Sequence, residues 1–342
     1  MRVLLTGSAG FIGSAVATEL RTHGHDVIEY DAFLRSAHGD RDDVVRRDVR
    51  DAADLDQALR GVDVVCHQAA VVGAGVDALD APAFASHNDF GTAVLLAAMA
   101  RAQCSRLVLA SSMVVYGEGR YRGVDEVTRS VEDLIAGRFD PLDGGGNPLV
   151  WELVPEDAPL RPRSFYAASK LAQEHFALAW TRTTGGSVVA LRYHNVYGPG
   201  MPRDTPYSGV AAMFRSSLER GESPRVFEDG RQMRDFVEVS DVARANRLAV
   251  ESAMSGFEAV NVCSGRPVSI LDVATGLSAA VGGPAPVVTG EFRAGDVRHI
   301  VASPAKAREL FGFTAEVAPE DGLALFARAP LRDATAAARV AV

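Results

Sequence analysis

The 342-residue chain contains only three cysteines, Cys66, Cys104 and Cys263, an odd number set far apart. That scarcity and spacing exclude a disulfide framework and a cysteine-built metal site, so no metal is expected and the thiols read as small buried apolar groups. Long apolar runs are missing as well. None reaches the ~18 consecutive residues of a membrane span, and the opening Met1-Arg2-Val3-Leu4-Leu5 is too short for the apolar core of an export signal. The expectation is a cytoplasmic protein with no membrane partner. Nor is there an excess of positive charge: 35 Lys and Arg stand against 44 Asp and Glu, a net charge of −9. A nucleic-acid partner is therefore not expected, although an acidic envelope can still enclose a small basic pocket.

What the chain does have is the composition of a globular protein, with 47% hydrophobic and 23% charged residues. At roughly 150 residues per domain its length allows two. The first half alternates short apolar runs with helical stretches, the pattern of βαβ units. Val3–Leu5, Val27–Tyr30, Val44–Arg46, Val62–Cys66, Leu107–Ala110 and Val188–Leu191 read as strands. Ile12–Thr22, Leu55–Leu59, Thr92–Arg101 and Tyr166–Thr181 read as helices. From about Pro199 short strands (Arg225–Phe227, Phe236–Val239, Ala259–Val262) mix with helices at Asp241–Ser252 and Ile270–Val281, as in a smaller α/β lobe. Gly117 to about Arg163 breaks the rhythm with Asp143-Gly144-Gly145-Gly146-Asn147-Pro148 and reads as a long surface insertion. The Ala/Arg-rich tail after Pro330 is expected to fray.

Two local patterns carry chemistry. Thr6-Gly7-Ser8-Ala9-Gly10-Phe11-Ile12-Gly13 follows the first strand and opens a helix. Gly7 suits a tight turn, Gly10 lets a pyrophosphate approach the backbone, and Gly13 lets helix and strand pack closely. Unpaired N–H groups at the helix start then face the phosphates. Asp31 ends the second strand, where a carboxylate can take both hydroxyls of an adenine ribose and repel a 2′-phosphate. That favours NAD over NADP as cofactor. Further on, Ser111-Ser112 closes a strand, and Tyr166 and Lys170 share one helix face at i, i+4. The lysine charge, with a positive nicotinamide, can lower the tyrosine pKa toward neutrality. Tyr166 then becomes a general base and Ser112 a hydrogen-bonding partner for the reacting oxygen.

Together these motifs resemble an extended short-chain dehydrogenase/reductase of the nucleotide-sugar epimerase/dehydratase group, from Val3 to about Arg308. The resemblance implies a Rossmann-type, doubly wound parallel sheet with a smaller, interleaved α/β substrate lobe. Residues 1–192 would bind NAD, with the insertion at about 117–163; residues 193–330 would form most of the lobe, and 331–342 a tail. Within the family pattern, Phe11, Ile12, Asp48, Val49, Ala69 and Ala70 would contact the cofactor, and Tyr193 would lie near the nicotinamide. Asn88 would be either an active-site amide or a bridge between strand and helix. Met113 would line the sugar site, and Asn195, Arg234 and Arg298 would hold the diphosphate. Arg225 and Phe227 would flank the nucleobase. Arginine suits such a site because its planar fork grips phosphate oxygens in pairs; the alternative for Arg234 or Arg298 singly is a surface ion pair. The family also implies a homodimer.

The family runs several reactions. A 4,6-dehydratase resembling this chain would carry Asp-Glu after the catalytic hydroxyl residue, where Met113 and Val114 stand here. What remains needs only Ser112, Tyr166, Lys170 and NAD, the requirements of a nucleotide-sugar 4-epimerase. Another oxidoreductase or dehydratase acting at a different carbon is the alternative, with a non-catalytic NAD(H)-binding regulator behind it. Glu118–Arg122, Ala136–Asp140 and Pro206–Gly209 resemble a branch holding dTDP-L-rhamnose and UDP-glucose 4-epimerases. Members of that branch often carry a cysteine knuckle in the insertion. This chain has no cysteine there, so no zinc is expected.

Overall fold

The computed structural model describes residues 1–38, 43–73, 75, 77–203 and 209–332. Most of the resemblance at Pro206–Gly209 and most of the expected tail therefore lie outside the described residues. In chain order the principal strands are β1 (Arg2–Thr6), β2 (Asp26–Tyr30), β3 (Val64–His67), β4 (Arg106–Ser112), β5 (Ser187–Tyr193), β6 (Asn195–Tyr197), β7 (Met233–Glu238), β8 (Phe257–Val262) and β9 (Pro267–Ser269). The principal helices are α1 (Phe11–Thr22), α2 (Ala52–Ala58), α3 (Gly91–Arg101), α4 (Phe165–Thr184), α5 (Val210–Glu219), α6 (Val239–Glu251) and α7 (Ile270–Val281).

Six strands form one parallel sheet in the order β8-β5-β4-β3-β1-β2. Both faces are covered, which is why its strands read as continuous apolar runs. Alternate side chains sort to opposite layers. Val3 and Leu5 pack with Val16 and Leu20 of α1 and Val250 of α6. Leu4, between them, packs with Leu55, Leu95, Met99 and Trp180 on the other face. Because β1 feeds β2 on one side and pairs β3 on the other, strand order reverses there. A crevice opens at the carboxyl ends of β1 and β3, the general place for ligands in such sheets. The edge strand β8 and the covering helix α6 come from after residue 193, so the two parts of the chain interleave.

The lobe is a three-stranded sheet, β9-β7-β6. Phe214, Leu218, Phe236, Val273, Leu277 and Phe326 form its core. A Ser269–Asp272 capping box starts α7.

Three expectations need correction. Val44–Arg46 is no strand: Val45 is 75% exposed, and the segment runs irregularly past Asp31, whose carbonyl accepts from Arg47 N at 2.8 Å. Two valines between charged neighbours offer no apolar face to bury. The insertion is an ordered unit, with Arg120–Tyr121 paired to Trp151–Glu152, a helix at Val131–Ile135, and Tyr121, Val127, Leu134 and Val154 buried. Polar and glycine-rich spacing hid these scattered anchors. The tail does not fray at once after Pro330, since Leu331 is buried and Arg332 forms a parallel bridge with Pro202.

No helix among the described residues is long and apolar enough to cross a membrane. All three cysteines are buried and free. Among the described residues, no group of His, Cys, Asp or Glu is placed to hold a metal ion.

Candidate active site

The glycine turn builds one end of the site. Gly7 has φ +68°, and a Cβ there would lie 2.6 Å from Ala69 N. A Cβ on Gly13 would lie 2.0 Å from Gly7 O, so α1 leans directly on the turn. Gly10 caps α1 without a side-chain hydrogen bond, and the first turn carries no acid. Its leading N–H groups and the positive helix end therefore face the crevice uncompensated. A cavity of about 340 Å³ runs from this turn along the strand ends. Of the expected cofactor residues, Gly7, Gly10, Phe11, Ile12, Gly13, Asp31, Asp48, Val49, Ala69, Ala70, Tyr166, Lys170 and Tyr193 line it. Asn88 does not. It is buried, its carbonyl accepts from Val71 N at 2.8 Å, and its amide donates to Val71 O at 3.0 Å and to Ser169 Oγ at 2.9 Å. These bonds join the segment after β3 to α4.

Asp31 is fixed by two backbone donors, Ala9 N at 2.9 Å and Phe33 N at 2.7 Å. It lines the cavity, with His38 Nε2 3.8 Å from its Oδ1. Asp48 is pushed upward by burial, but the Arg50 fork outweighs that and holds its carboxyl below the ordinary range.

At the other end, Ser112 closes β4, and its Oγ accepts from Val114 N at 3.4 Å. Ser164 caps α4 by accepting from Ala167 N at 3.1 Å. This cap sets Tyr166 and Lys170 on successive turns, facing the sheet. Lys170 is buried and donates to Ala110 O at 2.9 Å, which ties it to β4. Burial pushes its ammonium down to about 8, against the pull of Glu174 and Asp89. Burial pushes Tyr166 up to about 12, and the Ser112 hydroxyl pulls it the other way. The protein alone therefore does not lower the tyrosine pKa. Behind α4, Glu174 accepts from Ser111 Oγ at 2.5 Å and from both Nε (3.0 Å) and Nη2 (2.8 Å) of Arg192. This buried pair locks α4 to β4 and β5.

The expected substrate residues divide. Met113 follows Ser112 in a short turn and packs with Val115 and Val154. Asn195 begins β6 with a buried, unpartnered Oδ1. Arg234 donates only to carbonyls, those of Met233 and Arg298 at 2.9 Å and Val297 at 2.6 Å. Burial lowers its pKa, because its charge meets dipoles rather than a carboxylate. Arg298 does not present itself to a ligand. It is fully buried and bound to Asp140 at 2.7 Å, Glu228 at 2.8 Å and Asp229 at 2.7 Å. Three carboxylates surround its charge in the interior, so it is not the surface ion pair considered as its alternative. Arg225 is exposed and paired with Glu291 at 2.6 Å. Phe227 lies under the Arg293 guanidinium, 5.2 Å from ring centroid to Cζ.

A model of the NAD dependent epimerase/dehydratase family matches residues 3–141 and 144–263. The chain belongs to this family. A dTDP-L-rhamnose 4-epimerase of Burkholderia thailandensis is 32% identical over 340 residues, covering 94% of this chain and 93% of that one. A solved UDP-glucose 4-epimerase of Thermotoga maritima, with UDP-glucose, is 29% identical with a TM-score of 0.78, covering 96% of this chain and 97% of that one. A dTDP-glucose 4,6-dehydratase of Streptomyces venezuelae, with NAD and TYD bound, is 26% identical with a TM-score of 0.75, covering 96% of each chain. Membership makes this an enzyme of the epimerase/dehydratase family without selecting among its reactions.

The family's NAD fits what the chain offers: a glycine cradle that any Cβ would fill, an open helix N-terminus, and a carboxylate at the far end. Sequence reasoning missed several residues of this epimerase/dehydratase site. His38, Arg47 and Arg332 line the cavity, and Arg293 reaches the Phe227 ring. No local pattern marks them: His38 ends a short helix after Asp31, Arg47 and Arg293 lie in irregular segments, and Arg332 comes from a distant one.

Proposed function

We propose that this family member is an NAD-dependent nucleotide-sugar 4-epimerase. The observation that carries the reading is that Tyr166 and Lys170 line the cofactor cavity while the Ser112 hydroxyl, at the end of β4, hydrogen-bonds Tyr166 and is followed in the chain by Met113 and Val114. Those two side chains cannot move protons and offer no hydrogen bond to hold a sugar that must turn over. NAD, when bound, takes up and gives back the hydride.

The chain's own residues handle the proton. Tyr166 takes it from the C4 hydroxyl as the C4 hydrogen leaves with its electron pair, and Ser112 donates a hydrogen bond to the same oxygen. Lys170, anchored on Ala110 O, presents its charge to the phenolate. This charge and that of the oxidised cofactor must together offset the burial that holds Tyr166 near 12 in the protein alone. The 4-keto sugar then rotates about its diphosphate link, and Tyr166 returns the proton as hydride arrives on the opposite face. Arg234 and Asn195 are our candidates to grip the diphosphate, Arg225 and Phe227 to flank the base. Among the described residues Arg234 has no carboxylate of its own to release, and Asn195 has an unspent acceptor.

Incubation with dTDP-, UDP-, GDP- and CDP-sugars should give C4-inverted products without net consumption of NAD. Accumulation of a stable 4-keto or unsaturated sugar, or solvent deuterium at C5, overturns the reading in favour of a dehydratase. We further infer a cytoplasmic homodimer joined through α4, whose Phe176 is 45% exposed; light scattering on the purified protein measures the assembly.

A further inference from the structure

The chain returns to the cofactor cavity after its last described helix, Pro319–Phe326. Leu331 is buried in the lobe core. Gly200 N donates to Pro330 O at 2.9 Å, Arg332 N to Met201 O at 3.0 Å, and Arg203 N to Arg332 O at 2.9 Å. These bonds fix the backbone at Arg332, and the side chain then points into the cavity. Its Nη1 donates to Ala9 O at 3.0 Å, and Ala9 lies between Gly7 and Gly10 in the phosphate-binding turn.

The guanidinium is poorly provided for by the protein. Its Nε is buried without a hydrogen-bond partner. Among the described residues no carboxylate stands within ion-pair distance of it, and Asp31 acts on it only from farther away. A cation so placed is unfavourable unless an anion completes the site. The neighbouring N-terminus of α1 adds positive potential, and its leading N–H groups are also uncompensated. Two independent features of one wall thus call for negative charge at the glycine turn, and the anionic part of a dinucleotide is its pyrophosphate.

We propose that Arg332 is a cofactor-binding residue that ion-pairs with the dinucleotide pyrophosphate over the glycine turn and slows release of the cofactor. The inference rests on the dinucleotide reading of the cavity and is independent of the reaction at C4. It gives the segment at Leu331–Arg332 a function: the lobe's end is tied to the sheet through the ligand. Retention matters in this chemistry, since the hydride taken up must be returned to the same sugar.

The test uses the full chain and the Arg332→Gln and Arg332→Lys variants. NADH dissociation is followed by stopped-flow fluorescence with excess NAD as chase, at low and high salt. Arg332→Gln should release NADH at least about tenfold faster, with a weaker salt dependence, and Arg332→Lys should fall between, as expected for loss of a charge-assisted fork. The melting temperature of the cofactor-stripped Arg332→Gln protein should not fall below that of the unaltered chain. Equal release rates overturn the proposal. So does a lowered melting temperature with an unchanged salt dependence, the signature of an anchor that never meets the ligand. If the unaltered chain binds no NADH, the dinucleotide reading itself falls, a result distinct from both.

Discussion

Lys170 shows how one side chain can serve chemistry at the expense of stability. Its folded value is about 8 against an ordinary 10.5. Between those values the unfolded chain holds the proton and the folded chain does not. The burial penalty is therefore full below pH 8 and fades as pH rises toward 10.5. Lys170→Met should raise the melting temperature of the cofactor-free protein at pH 7 by a few degrees, with the gain shrinking above pH 9, while turnover is lost. A melting temperature that falls at pH 7 would count against the burial argument. Tyr166 has the opposite balance, since it is neutral in both states at pH 7 and contributes no such term. Tyr166→Phe keeps the ring beside Phe84, 5.9 Å between centroids, and removes only the hydroxyl. Turnover should drop by roughly 10²–10⁴, with NADH binding measured by fluorescence left intact.

At the scale of elements, the site depends on how closely α1 approaches the turn after β1. The 2.0 Å gap between Gly7 O and a Cβ placed on Gly13 cannot be relieved by a flexible side chain, because the obstacle is backbone. Gly13→Ala must push the helix outward. We expect a loss of about 2 kcal/mol in denaturant unfolding and NADH affinity weakened by more than about tenfold. Gly10→Ala meets only Gly7 O at 3.2 Å. Its stability should change less, so the two variants separate packing from phosphate approach. Helix α4 is held by different means. Its Ser164 cap and the buried Glu174–Arg192 pair fix α4 at the first turn and again two turns later.

For the whole molecule, Arg298 is a junction between the insertion and the lobe. Asp140 comes from the insertion, Glu228 and Asp229 from the lobe, and Glu228 also takes Arg129 of the insertion at 2.7 Å. Replacing Arg298 by Met would leave these carboxylates facing one another, and stability should fall by about 3–5 kcal/mol in thermal or denaturant unfolding. The same junction should be acid-labile. Asp140 is held well below the carboxylate range first by its His299 hydrogen bond and then by Arg298. Its stabilisation is present above about pH 4 and lost progressively as pH falls further. Trp151 of the insertion stacks on His299, 6.2 Å between centroids, so its emission should shift to the red on acidification before the sheet unfolds.

Some of this was written in the amino-acid order. The buried strands, the helices and the glycine turn are legible because they depend on residues that are neighbours along the chain. So is the pairing of Tyr166 with Lys170, because helical spacing alone puts them on one face. The arginines are another matter. Arg234 and Arg298 look alike in sequence, yet one meets carbonyls and the other three carboxylates. Arg332 reads as the start of a loose tail and stands over the cofactor turn. The fate of a guanidinium depends on which partners, dozens or hundreds of residues away, the fold brings within about 3 Å. The chain by itself determined the family and its cofactor turn; tertiary structure alone decided which positive charges carboxylates already neutralise, because charge is neutralised in space and not along the sequence.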